Sequence, residues 1–239
     1  MQPLPPSPYG HAAYPRPASP VLLAQRITTN DGAQLASFVY GPADAELSAL
    51  LAHDPMLVLH GNGGSHATFV QVIDTLVSAG LGVIAVDARG QGQSTRGFLP
   101  LTYELFAADV IRVLDQLKVD AVHVIGHSDG GIEALLLARD HPTRVRSIVA
   151  GGANLTPEGV IDEWDTAGSV EGNRRWEAWV QSADVPASVD VSLLPSPTDA
   201  HLSAELLQLM LDEPHIDAAS LATISCPACV LVGEHDCIT

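Results

Sequence analysis

The chain has 239 residues, 46% of them hydrophobic, enough for one sizeable α/β domain with a buried core. A formal net charge of −17 with a single lysine, Lys118, argues against nucleic-acid binding, which needs a basic patch. No run of 18 apolar residues suggests a transmembrane helix, and the N-terminus lacks the basic-then-apolar order of a secretory signal.

Residues 1–20 hold seven prolines and two tyrosines and read as an extended or disordered arm outside the core. Residues 25–28 and 34–40 predict a hairpin around Asn30-Asp31-Gly32. A loop, with a short helical turn, fills 42–55. From Met56 the rhythm becomes strand–helix alternation. A buried strand at 56–59 ends in His60-Gly61-Asn62-Gly63-Gly64. A helix over 66–79 puts Phe69, Val72, Ile73, Leu76 and Val77 on one face, and Gly80 closes it. A strand at 82–86 ends at Asp87 and runs into a glycine-punctuated loop. Thr102 is placed to cap a helix over 103–117, whose stripe is Phe106, Val110, Val113, Leu114 and Leu117. A strand at 121–125, a turn at 126–131 and a helix at 132–138 follow, then a strand at 145–150.

Residues 153–222 break this rhythm and predict a helical cap over the carboxyl ends of the strands, with helices near 157–165, 173–182 and 202–211. A strand at 228–233 resumes the sheet and ends at Glu234-His235-Asp236. The expected organisation is therefore an arm at 1–20, a core at 21–152 and 223–239, and a cap insertion at 153–222. Strand–helix alternation with continuous apolar strands implies an α/β fold: a mostly parallel sheet covered by helices on both faces, with the leading hairpin antiparallel at one edge.

The turn Gly126-His127-Ser128-Asp129-Gly130-Gly131 carries the chemistry. It has the G-x-S-x-G pattern between a strand and a helix, the nucleophile elbow. A serine there takes a strained backbone conformation, and glycines flank it because side chains would collide with the adjoining strand and helix. The helix N-terminus behind it favours an oxyanion. Three strand ends converge in order: the Asn62 N–H, with Gly63 beside it, and the Asp129 N–H as candidate oxyanion donors; Ser128; and Asp236, able to orient a histidine. Ligands of open α/β sheets bind beyond the carboxyl ends of the strands, where all three lie.

His127 adjoins the nucleophile, and Trp164, Trp176 and Trp179 either line a pocket or pack the cap. The Asp129 side chain has two readings: a receptor for a substrate amine, or a carboxylate held locally that shapes the turn. Asp87 and Arg89 read as members of a structural network. Three cysteines, Cys226, Cys229 and Cys237, favour a reducing, cytoplasmic setting. Cys226-Pro227-Ala228-Cys229 enters a strand, where a redox motif would open a helix, so it reads as buried strand thiols and no metal site is assigned.

The motifs HGNGG (60–64), DARGQGQS (87–94), GHSDGG (126–131) and GEHD (233–236), in this order, resemble the α/β-hydrolase superfamily over about residues 21–239. GHSDGG followed by AGGAN (150–154) is similar to valacyclovir hydrolase-like serine esterases and related bacterial hydrolases. The resemblance implies Ser128 as nucleophile, Asp236 as triad acid, Asn62 and Asp129 as oxyanion donors, and Asp129 facing a cationic amine. It implies no cofactor. It also puts the base histidine after the acid, beyond one more strand. No histidine here matches that position, so the last strand, the histidine loop and the last helix are expected to be missing from this sequence. His201 and His215 are weak substitutes.

The leading reading is a serine hydrolase of carboxylic esters or related small acyl substrates. A catalytically impaired or vestigial binding protein is the alternative. A nicotinamide-dependent oxidoreductase would use the Gly61–His66 turn and Asp87, but His66 stands where a third glycine is required and the elbow stays unexplained.

Overall fold

The computed structural model describes residues 16–182, 184–186, 188, 190, 192 and 196–238. Most of the Pro-rich arm lies outside the described residues. The part that is described is pinned: Asp74 accepts bonds from the Ala18 N–H and from the Ser19 N–H and hydroxyl.

The strands are β1 (Val21–Thr28), β2 (Gln34–Tyr40), β3 (Met56–Leu59), β4 (Val83–Val86), β5 (Val122–His127), β6 (Val145–Gly151) and β7 (Ala228–Leu231). They form one sheet in the order β1-β2-β4-β3-β5-β6-β7. β2 runs antiparallel to both β1 and β4, and the remaining neighbours are parallel. The helices are α1 (Leu47–Ala52), α2 (Val70–Ser78), α3 (Tyr103–Leu117), α4 (Asp129–Asp140), α5 (Thr166–Val180) and α6 (Pro197–Asp212).

Side chains alternate along each strand, and the core divides accordingly. Leu57, Leu59, Ile84, Val86, Val122 and Val124 face α3 and α4. Val58, Val83 and Ala85 face the other way, onto Phe69, Ile73 and Val77 of the α2 segment. The Thr102 hydroxyl accepts the Leu105 N–H and starts α3 as its sequence signal requires.

Register places the functional loops level with one another. Leu59 pairs with Val86 on one side and Gly126 on the other, Gly126 with Ala150, and Gly151 with Leu231. The loops after β3, β4, β5, β6 and β7 therefore emerge at one edge of the sheet.

The 153–222 region departs from expectation in three places. Residues 157–165 are not a helix. A single 3₁₀ turn, Pro157–Gly159, leads into Val160, which pairs with Ile238, and the Ile161 N–H donates to the Cys237 carbonyl at 2.7 Å. These contacts with distant residues take the backbone groups a helix would have used. α5 begins earlier than expected because the Asp165 carboxylate caps it by accepting the Gly168 N–H. α6 begins earlier because Ser196 caps it and Pro197 occupies the first turn. The two helices pack through Val170, Ala204 and Leu207.

The cysteines are also corrected: Cys229 is exposed, and Cys226 and Cys237 are half-buried free thiols. β7 is an edge strand, and all four of its residues are exposed.

Candidate active site

Ser128 sits between β5 and α4 with φ 56° and ψ −120°. For a non-glycine residue this is a strained conformation that persists only where the surroundings over-determine it. They do so here. The Ser128 N–H donates to the Gly151 carbonyl at 2.8 Å, and the Gly130 N–H to the His60 carbonyl at 3.1 Å. A Cβ on Gly126 would lie 1.9 Å from the Gly130 carbonyl oxygen, and one on Gly130 would lie 2.1 Å from that of Leu59. Glycine is therefore a steric requirement on both sides of the serine.

Ser128 opens into a cavity of about 290 Å³, whose walls include Tyr103, His127, Asp129, Trp164 and Asp236. Four of the expected site residues thus meet around the serine. Asp236 accepts the N–H groups of Gly233 and Ile238, both at 3.2 Å, and these bonds hold its carboxyl below the usual range. Gly152, at φ 60°, leaves space between two walls: a Cβ there would meet Asp236 Oδ2 at 3.8 Å and His127 Nε2 at 4.0 Å. Trp164 is 66% exposed, whereas Trp176 is fully buried with its ring tilted against Trp179, so the tryptophans divide between lining and packing.

Gly63 is not brought to the cavity. Its N–H donates to Gln91 Oε1 at 2.6 Å, which binds the loop after β3 to the loop after β4. Asn62, expected as an oxyanion donor, is likewise not among the residues that line the cavity. Its side-chain amide donates to Asp129 Oδ2 at 3.1 Å and to the Leu206 carbonyl of α6 at 3.0 Å. The Asp129 carboxyl is 3% exposed and also accepts the Tyr103 hydroxyl at 3.1 Å. Burial pushes it up to about 6, against the opposing effect of the Tyr103 and Asn62 bonds. One turn further along α4, Glu133 is pushed well up by burial and by the neighbouring Asp129 and Asp109 charges.

His60 and His66 are bonded away from the serine. In His60 the ring Nδ1 meets the Gly61 carbonyl at 2.8 Å and Nε2 accepts the Ala88 N–H at 3.0 Å; burial holds its pKa down. His66 pairs with Asp87 at 2.7 Å. His201 is exposed and pairs with Glu177, and His215 is exposed; neither lines the cavity. Among the described residues no histidine hydrogen-bonds the Ser128 hydroxyl.

Asp87 and Arg89 are structural, as the sequence indicated. Arg89 is 1% exposed and ion-paired to Asp109 and Asp31, which joins the loop after β4 to α3 and the hairpin turn. Tyr103, Gln91, Leu206 and Glu213 entered the site unannounced. Their contacts span long sequence separations, and only Gln91, inside the 87–94 motif, lies in a stretch the sequence singles out.

A family model described as alpha/beta hydrolase fold matches residues 54–181. Rhodomycin D methylesterase DnrP of Streptomyces peucetius is 37% identical over 134 residues, 54% of this chain and 42% of that protein. The dihydrolipoyllysine-residue acetyltransferase component of the acetoin cleaving system of Cupriavidus necator is 37% identical over 109 residues, 46% of this chain and 28% of that protein. The chain thus matches less than half the length of these curated relatives. Among solved structures, naproxen esterase from Bacillus subtilis superposes with a TM-score of 0.62 at 21% identity, covering 93% of this chain and 77% of its own, a likeness of fold. No described helix is long and apolar enough to cross a membrane.

Proposed function

The chain belongs to the α/β hydrolase fold family, and on that premise we propose that it is a serine hydrolase of carboxylic esters or related small acyl compounds. Ser128 attacks the acyl carbonyl, an acyl-enzyme forms with loss of the alcohol, and water releases the acid. The observation that carries this reading is Ser128 itself: a strained serine at a helix N-terminus, open to a cavity it shares with Asp236.

In this reading the N–H groups of Asn62 and Asp129 receive the oxyanion, each donor contributing about 3–4 kcal/mol to the transition state. Asp236 is the acid that orients the base. His127 and Trp164 contact the substrate, and residues 153–222 act as the cap over it. Two relatives' names fit this chemistry: methyl-ester hydrolysis and acetyl transfer both move an acyl group and differ in the acceptor. The acidic surface is consistent with a small-molecule partner rather than a nucleic acid.

A second reading, an acyl-binding protein without turnover, is favoured by the lack of any histidine bonded to Ser128 among the described residues. Labelling with a fluorophosphonate, followed by ester turnover, separates the two. The hydrolase reading expects covalent labelling that Ser128→Ala abolishes, together with steady turnover. Labelling without turnover supports the binding protein. No labelling, or labelling that survives Ser128→Ala, ends the first reading.

A further inference from the structure

We propose that Asp129 is a positioning residue: its carboxylate holds the Asn62 side chain and thereby locks the oxyanion loop at 60–64 against helix α6. This inference rests on the reading of Ser128 as nucleophile and Asn62 as an oxyanion donor.

The geometry is a relay across four segments. Both hydrogens of the Asn62 amide are used, one by Asp129 Oδ2 and one by the Leu206 carbonyl. The other carboxylate oxygen of Asp129 accepts the Tyr103 hydroxyl from α3. Both oxygens of this buried carboxyl are thus bonded to protein donors.

The amide orientation is enforced by two acceptors, the Asp129 carboxylate and the Leu206 carbonyl. Asn62 Oδ1 is buried without a partner. Reversing the amide would set Oδ1 against the Asp129 carboxylate and the Leu206 carbonyl, two acceptors with nothing to donate. A proton on Asp129 removes that penalty on one side, because it can be donated to Oδ1. The Leu206 carbonyl still opposes the reversed amide, so a proton on Asp129 loosens the tie between loop and α6 without releasing it.

Tyrosine and acidic groups surround this carboxyl within the fold. Tyr103 faces it from α3 and Glu133 from the next turn of α4, and Glu213, beyond α6, adds negative charge near Tyr103. His127 and Asp236 line the same cavity, and among the described residues no lysine or arginine does. With burial pushing the Asp129 pKa to about 6, the Asn62–Asp129 bond is charge-assisted above that value and weaker below it.

The test is the rate of fluorophosphonate labelling of the full chain across pH 4.5–9, using one plain alkyl probe and one amine-bearing probe. For each, the maximal rate and the half-saturating probe concentration are measured. The proposal expects wild-type maximal rate to fall below about pH 6 at unchanged half-saturation. Asp129→Asn should lower the plateau about tenfold, less than the ~10²–10³ that loss of a donor removes. It should abolish the acidic limb and treat both probes alike. Tyr103→Phe, which deletes one bond to the carboxylate, should move the limb to higher pH. Asn62→Ala and Asp129→Asn together should be no worse than Asn62→Ala alone. A raised half-saturation for the amine-bearing probe only, with maximal rate intact, would identify Asp129 as the amine receptor and overturn the proposal. So would an acidic limb that neither variant moves. Labelling that persists in Ser128→Ala sinks the underlying nucleophile assignment instead, which keeps the two failures apart.

Discussion

The Ser128 N–H donates to the Gly151 carbonyl at 2.8 Å, so the elbow after β5 is strapped to the end of β6. That bond, with the Gly130–His60 bond on the other side, holds a backbone that would otherwise relax out of its positive φ. The serine is rigid because three strand ends meet at it.

Gly126→Ala and Gly130→Ala should each destabilise the fold by about 3 kcal/mol, the upper end of what overpacking costs. The added methyl would meet backbone oxygen at 1.9 and 2.1 Å, and backbone cannot swing aside as a side chain can. Urea unfolding measures this. By contrast, Gly80→Ala adds a Cβ with nothing within 4 Å and meets only the strain of its φ of 86°. It should cost clearly less than either, and equal losses at all three positions would show that contact distance is not the cause.

Arg89→Met should cost about 3–5 kcal/mol, because it leaves the Asp109 and Asp31 carboxylates without their shared cation. The triple change with Asp31→Asn and Asp109→Asn should recover most of that loss. Thermal melts of the three proteins check it, and no recovery would point to packing of the arginine stem instead.

Asp129 gives a stability dependence of definite sign. Its folded pKa of about 6 lies above the ordinary 3.8, so between those values the native state holds a proton that the unfolded chain has released. The native state therefore loses stability as pH rises through this window, by roughly 3 kcal/mol once both forms are ionised. Asp129→Asn carries no such charge. It should unfold at higher temperature than wild type at pH 8, and the gap should close below about pH 4.

The two tryptophan positions should respond in opposite ways. Trp176 is fully buried, and Trp176→Ala should cost about 3–5 kcal/mol. Trp164 stands exposed on the cavity wall, so Trp164→Ala should leave the melting temperature unchanged while raising the half-saturating probe or substrate concentration. Calorimetry and labelling kinetics on the same samples read both effects.

The sequence by itself determined what depends on near neighbours. The glycines at 126 and 130 marked the elbow because the clash they avoid is with the turn itself and the strand beside it. The apolar spacing of α2 and α3 fixed which faces are buried, and Thr102 marked where α3 begins. Asp165 and Ser196-Pro197 are start signals of the same local kind, for α5 and α6.

Tertiary structure alone decided the partners. Asn62 meets Asp129 and Leu206 from 67 and 144 residues away, and Arg89 meets Asp31 and Asp109 from 58 and 20. Nothing in residue order shows that β3 lies between β4 and β5, and that lateral order brings the loop after β3 against the elbow. Buried donors and acceptors must find one another wherever packing leaves them, so their pairing is a property of the assembled sheet and not of any segment.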